Sequence, residues 1–309
     1  MRKILVTAIS GNIGNGILKI LKAEEQMLYG CDVNQIAVGM DLVEEFWQCR
    51  YALEEGYLDE LLEKCTQFGI THLIPVNERE IEVIGKQRKR FEDIHVKVVI
   101  QSQHILDICL DKLKTAEFLM ECGIKTPATY PNIESINDKN GLYICKPRKS
   151  NGSKNVFIFR PKDKIDERID DTCIVQEYIE SEEEYTIGVF RQKETVNVIA
   201  FLRKLEHGYS SQVELIHDNE IVLLAKKVAG LLQAEGYFNI QLRKKDGYYY
   251  IFEINPRISG TVRFRHMLGF MDVLWWLDLL DGKIMEPFFN RYHKALGIRE
   301  LNEKFLILK

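Results

Sequence analysis

Short apolar runs and amphipathic stretches alternate through the first hundred residues. Residues 3–8 (KILVTA) are apolar and β-branched, residues 10–16 (SGNIGNG) are a polar, glycine-rich break, and residues 13–21 carry apolar positions at helical spacing. This succession predicts strand, tight turn and helix. Residues 28–33 (LYGCDV), 72–76 (HLIPV) and 96–100 (VKVVI) read as further buried strands, and residues 57–65 as an amphipathic helix. Strands alternating with helices predict a parallel sheet with right-handed crossovers.

Near Ser102 the pattern changes. Residues 105–122 read as one long helix, stopped by Gly123 and followed by Pro127. Strand-like runs then dominate, at 143–147, 155–159, 174–178, 185–191 and 196–202, ahead of a second long helix over 220–234. Residues 238–243 and 248–254 flank Asp246-Gly247, a strong hairpin signal. Residues 272–280 (DVLWWLDLL) form an apolar helix whose Trp275 and Trp276 belong to core or lobe packing. The expected class is α/β followed by α+β, with the boundary at residues 102–110. No repeat, low-complexity tract or long linker interrupts it.

Composition narrows the partners. The 309 residues suffice for two or three packed lobes, and 46% hydrophobic with 28% charged residues is ordinary for a soluble globular chain. The formal net charge is -4 and the cations are spread out, which argues against nucleic acid as a partner. Seven cysteines (31, 49, 65, 109, 122, 145 and 173) form no C-x-x-C pair, so neither a disulfide framework nor a zinc knuckle is expected. The chain opens directly into a strand and has no apolar run of membrane-spanning length, which makes the cytoplasm the default expectation.

Four constellations carry the candidate chemistry. The turn Ser10-Gly11-Asn12-Ile13-Gly14-Asn15-Gly16, with Asp32 ending the next strand, has the look of a dinucleotide site. Its G-x-x-G-x-G spacing departs from the fingerprint, so a structural turn is the better reading, with a small-substrate site as a secondary use. The segment Lys146-Pro147-Arg148-Lys149-Ser150-Asn151-Gly152-Ser153-Lys154 lies between two strands. Its lysine ends an apolar strand and so needs a negative partner, and its flexible tip could fold over phosphates. Gln176-Glu177-Tyr178-Ile179 followed by an acidic run could offer backbone groups to an adenine edge and a carboxylate to ribose.

The fourth is the most informative. Gln241 lies on one strand, while Glu253 and Asn255 share a face of the next because strand side chains alternate. Such oxygen donors are the hard ligands Mg²⁺ takes alongside nucleotide phosphates. Arg257 follows, placed to brace a transferred phosphoryl group. Arg263 and Arg265 are candidates for gripping an anionic substrate. The histidines form no ligand-spaced pair, and no G-x-S-x-G elbow is present.

In order, these segments resemble the ATP-grasp superfamily, particularly the branch containing the large subunit of carbamoyl phosphate synthetase. The resemblance covers nearly the whole chain. It implies a Rossmann-like pre-ATP-grasp domain over 1–104, with Pro75-Val76-Asn77-Glu78-Arg79-Glu80, then a small lobe over 105–175 opening at Asp111-Lys112, and a C-terminal lobe over 176–309. It implies ATP contacts from Lys112, Lys146, Ser153, Lys154, Gln176, Glu177, Tyr178 and Ile179, with Glu184 as the ribose acid. The stretch 180–184 is one residue longer than the usual form, which leaves Glu183 as the alternative. Gln241, Glu253 and Asn255 would hold Mg²⁺ or Mn²⁺, and Arg257 with Lys146 would act on the γ-phosphate. Gly11, Asn12, Asn77, Glu78, Ser259, Arg263 and Arg265 would meet substrate.

The implied activity is an ADP-forming ligase that activates a carboxylate as an acylphosphate and joins it to an amine, with a homodimer left open as the assembly. The chain stops soon after the E-x-N motif and carries no second synthetase half, so carbamoyl phosphate synthesis itself is not expected. The rivals are an ATP-binding regulatory protein without ligase activity and, more remotely, an NAD(P)-dependent oxidoreductase.

Overall fold

The computed structural model describes residues 1–149, 155–162, 172–181 and 183–300. The first sheet is parallel. Strands β1 (Lys3–Val6), β2 (Met27–Asp32), β3 (Glu45–Gln48), β4 (His72–Ile74) and β5 (Lys97–Val98) run in the order β3-β2-β1-β4-β5. Between them lie α1 (Asn12–Ala23), α2 (Tyr57–Phe68), α3 (Glu78–Lys86) and α4 (Arg88–Asp93). Both faces of the sheet are covered, which is why β1 reads as an uninterrupted apolar run. Ile4 and Val6 face one core and Leu5 faces another. The glycine-rich turn answers a packing demand. A Cβ on Gly14 would stand 2.5 Å from the Ala8 carbonyl oxygen, and one on Gly16 would stand 3.0 Å from Val262 Cγ1.

The long helix expected over 105–122 is two helices, α5 (Gln103–Cys109) and α6 (Lys112–Glu121). Asp111 divides them. Its extended backbone (φ -117°, ψ 110°) leaves the helix, and its side chain accepts from the N–H groups of Leu113 and Lys114 as an N-cap. It also accepts from Arg148 Nε at 2.7 and 2.8 Å. Apolar spacing continues across the break, which hid it from periodicity alone. The small antiparallel sheet follows in the order β6-β9-β7-β8, with β6 Thr129–Tyr130, β7 Tyr143–Pro147, β8 Phe157–Phe159 and β9 Cys173–Glu177.

The largest sheet has six strands, β14-β13-β10-β11-β12-β15. They are β10 (Glu184–Gln192), β11 (Thr195–Glu206), β12 (Tyr209–Ile216), β13 (Gly236–Lys245), β14 (Tyr248–Asn255) and β15 (Leu296–Ile298). Asp246 and Gly247 both take positive φ (52° and 79°) in the β13–β14 hairpin, as a tight primed turn requires. One face packs on α7 (Asn219–Leu232), burying Tyr185, Ile187 and Val189 with Ala225, Val228 and Leu232. On the other face, Phe190, Ile199 and Phe201 join Ile4, Val6 and Ile17 of the first domain in one core. Helices α8 (Val262–Met267) and α9 (Asp272–Leu280) complete that core, with Trp276 buried and Trp275 packed against it. First domain and large sheet therefore share one apolar core. No helix among the described residues is long and apolar enough to cross a membrane.

Candidate active site

A cavity of about 970 Å³ opens where the three sheets converge. Strand register builds its floor in rungs. Gln241 stands directly opposite Glu253, and Asn239 opposite Asn255, while Thr186 flanks Gln241 and Glu184 flanks Arg243 on the other side. Side chains paired across an antiparallel ladder share a face, so Glu184, Gln241, Glu253 and Asn255 all line the cavity. A register shift after Gln241 brings Phe252 to the lining as well.

The expected trio does meet, but its members differ. Lys112 Nζ stands 3.8 Å from Glu253 Oε1. Asn255 is buried and lines the cavity. Gln241 Oε1 accepts from Arg203 Nη2 at 2.9 Å. Among the described residues no cluster of three His, Cys, Asp or Glu could form an all-protein metal cage. One carboxylate beside amide oxygens fits Mg²⁺ or Mn²⁺ shared with nucleotide phosphates, the usual arrangement for that ion.

Lys146 ends β7 and reaches across from the small lobe. Its Nζ donates to Gln176 Oε1 at 2.8 Å and to the Phe252 carbonyl at 3.4 Å. Burial lowers its ammonium pKa to about 8; Glu253 attracts the charge, and Lys112 and Arg243 oppose it. A buried amine whose partners are neutral dipoles is set to receive an anion.

The hinge is partly occupied. The N–H of Glu177 donates to the Ala128 carbonyl and that of Tyr178 to the Leu142 carbonyl, while among the described residues no backbone acceptor meets the N–H of Ile179. The Glu177 carboxylate pairs with Lys245 at 3.4 Å. Glu184 lines the cavity and takes two guanidiniums, Arg203 at 2.6 Å and Arg243 at 2.7 Å. Burial alone would raise its carboxyl, but those two charges outweigh burial and hold it below the usual carboxylate range. Glu183, the alternative, is absent from the lining and accepts from Tyr185 Oη at 2.9 Å.

On the first-domain side, Gly11, Asn12, Asn77 and Glu78 line the cavity. Asn77 also caps α3 in a reciprocal capping box with Glu80. Glu78 Oε1 accepts from Arg257 Nε at 3.0 Å and Nη2 at 2.8 Å, which brings the strand-following arginine to the first domain. Ser259 lines the cavity too.

Arg263 and Arg265, expected to meet substrate, are absent from the cavity lining. Arg263 lies beside Gly16 of α1. Arg265 is wholly buried, ion-paired to Asp272 and donating to Ser259 and Thr261, so it braces the wall from behind. Ser153 and Lys154 lie outside the described residues.

Sequence reading missed Arg203, Arg243 and Thr186. Arg243 was within reach, since it shares a strand face with Gln241 two positions away. Arg203 needed the register of β10 on β11, which no local signal carries.

Two family models match this chain in succession, a PylC-like N-terminal domain over residues 4–99 and an ATP-grasp domain over residues 109–261. The chain belongs to the ATP-grasp superfamily, with a PylC-like N-terminal domain.

A D-alanine–D-alanine ligase of Fusobacterium nucleatum is 25% identical over 171 residues, 50% of this chain and 58% of that protein. The match thus spans little more than half of that relative's length. An N5-carboxyaminoimidazole synthetase from Staphylococcus aureus, solved with ADP, superposes with a TM-score of 0.76 at 13% identity, covering 97% of this chain and 82% of its own. The biotin carboxylase domain of a Hydrogenobacter thermophilus 2-oxoglutarate carboxylase, solved as a dimer with MgADP and bicarbonate, gives 0.74 at 14% identity, covering 94% and 71%. At these identities the two structures establish the shared fold: a parallel N-terminal domain followed by two antiparallel lobes.

Proposed function

We propose that this chain is an ADP-forming ligase that phosphorylates a carboxylate with ATP and passes the acyl group to an amine, on an amino acid or peptide-like substrate. The observation that carries this reading is the reach of Lys146 Nζ to the Phe252 carbonyl, which joins a small-lobe cation to the strand of Glu253 and Asn255. Nucleotide phosphates, metal and acceptor would thus share one enclosed space. The division into 1–104, 105–175 and 176–309 follows the same reading.

The residues act mainly by position and charge, as phosphoryl transfer requires. Ile179 N–H and the hinge meet adenine, and Glu184, its charge fixed by two arginines, meets ribose. Lys112 and Lys146 neutralise the polyphosphate. Glu253 and Asn255, with Gln241 beside them, form the site for Mg²⁺ or Mn²⁺, which when bound neutralises β- and γ-phosphate charge. Arg257, held by Glu78, faces the transferred phosphoryl group or the substrate carboxylate. The carboxylate oxygen attacks the γ-phosphorus and ADP leaves; the amine then displaces phosphate to form an amide. Gly11, Asn12, Asn77, Glu78 and Ser259 surround the acceptor.

The second reading, a regulatory ATP-binding protein, needs no acceptor-facing Arg257 and no enclosed substrate end. Screening acid and amine pairs for ADP release separates the two. Glu253→Ala should lower acceptor-dependent ADP formation by roughly a hundredfold or more while the melting temperature stays near that of the wild type. Unchanged turnover in that variant would remove the metal assignment.

A further inference from the structure

Among the described residues five carboxylates line the cavity, and four of them have a cation beside them. Glu78 pairs with Arg257, Glu177 with Lys245, and Glu184 with Arg203 and Arg243, while Glu253 stands 3.8 Å from Lys112. The fifth is Asp32, at the end of β2, and its partners among the described residues are neutral. Its Oδ2 accepts from the Ser10 N–H at 2.8 Å, and its Oδ1 from the Asn34 N–H at 3.0 Å and from Asn34 Nδ2 at 2.8 Å. Asp32 is only 3% exposed. A carboxylate buried that far without a counter-charge is uncommon, because nothing offsets the loss of its hydration. Oδ2, with a single donor, has room for a second.

The surroundings select what completes the site. The first domain gives the lining Ser10, Asn12, Asn34 and Asn77, all neutral, and no Lys, Arg or His of that domain lines it among the described residues. Arg257, on the facing wall, is engaged by Glu78. Asp32, Glu78 and Arg257 thus leave this end one negative charge in excess. The phosphate end is the reverse case, since the hydrogen bonds of Lys146 also go to neutral oxygens. A phosphorylated substrate would be repelled at the first-domain end, and a protonated amine would be held there.

An amine held on a carboxylate keeps its proton, and its lone pair is then not available for attack. Such an ammonium is an anchor rather than the nucleophile, so it belongs to the molecule whose carboxylate is phosphorylated.

We propose that Asp32 binds the ammonium group of the substrate: the carboxylate this chain activates is that of a free amino acid, with its amino group neither acylated nor replaced by hydroxyl. This rests on the ligase reading above. The glycine-rich turn then has a use beyond packing, because the carboxylate that takes the Ser10 N–H also selects the substrate.

ATP-dependent hydroxamate formation by the full chain with Mg²⁺ and hydroxylamine tests it, since hydroxylamine displaces phosphate from an acylphosphate whatever the natural amine. The panel is the common L- and D-amino acids, each beside its N-acetyl derivative and its 2-hydroxy counterpart. The expected result is hydroxamate from at least one amino acid, with kcat/KM at least about tenfold above that of its two counterparts. Asp32→Asn should narrow that preference to within about threefold and leave the KM for ATP within about threefold of the wild type. A purely structural Asp32 would lower turnover of the amino acid and the hydroxy acid alike. Equal turnover of an amino acid and its counterparts by the wild type would overturn the proposal even where the variant does not fold, and so would a preference unchanged in Asp32→Asn. Either result leaves the ligase reading intact. Hydroxamate from no acid of any kind would overturn that reading, and the proposal with it.

Discussion

Arg257 and Glu78 meet across the boundary between the first domain and the large sheet, the guanidinium donating twice to one carboxylate oxygen at 3.0 and 2.8 Å. Both side chains are largely buried, at 15% and 13% exposure, so removing one leaves the other charged and poorly solvated. Glu78→Gln is expected to cost about 1–3 kcal/mol in denaturant unfolding, and Arg257→Gln a similar amount. The double variant should cost less than the two losses added together. Strict additivity would mean that the contact carries no coupling.

Lys146 links stability and nucleotide affinity to pH. Its pKa is lowered from 10.5 to about 8 by burial, so between these values the unfolded chain holds a proton the folded chain has released. Stability of the nucleotide-free protein therefore rises with pH across that window, while below about 8 the full cost of burying the charge is present. ATP phosphates favour the ammonium, so affinity should fall as pH climbs past the same point. At about pH 7, Lys146→Met is expected to be more stable than the wild type by about 1–3 kcal/mol, with the gap narrowing toward pH 10. Denaturant titrations at several pH values measure this; a constant gap would speak against a charged, buried Lys146.

The Arg265–Asp272 pair is fully enclosed and anchors Ser259 and Thr261 at the cavity wall. Asp272→Asn should cost about 3–5 kcal/mol because it strands the guanidinium in the core. An apolar replacement of both, Arg265→Met with Asp272→Leu, should recover much of that loss. Its Kd for ATP would then report how far the pair also orders the wall. Chemical denaturation of the three variants decides the first point, and equilibrium nucleotide titration the second.

Gly188 gives the pair its room. A Cβ there would stand 2.7 Å from Arg265 Cδ, inside contact distance. Gly188→Ala is expected to lose about 1–3 kcal/mol by overpacking, measurable as a lower melting temperature. A neutral effect would mean that the arginine can shift at no cost.

What the sequence disclosed depended on the range of the signal. The β13–β14 hairpin was legible because Asp246-Gly247 announces a turn and E-x-N alternates on a strand, both local facts. Lys146 was legible as a cation ending an apolar strand. The break at Asp111 was not, because the apolar spacing runs on through it while the capping bond depends on one backbone angle. Strand β12 reads YSSQVELI, too mixed to be recognised, and is defined by its ladder with β11. The buried position of Arg265 was hidden for a related reason. Nearness to Arg257 in the chain suggested a shared substrate, but α8 carries Arg265 inward to Asp272.

Asp111 joins parts of the chain 37 positions apart, since the carboxylate that starts α6 also grips Arg148 just past β7. The next residue, Lys112, donates its N–H to the Arg148 carbonyl and carries its ammonium to within 3.8 Å of Glu253. Strand end and helix start thus form one rigid lever. Arg148, Lys112 and Glu253 are thereby linked in series from the small lobe to β14. One chain of contacts thus ties the end of β7 to the floor of the cavity.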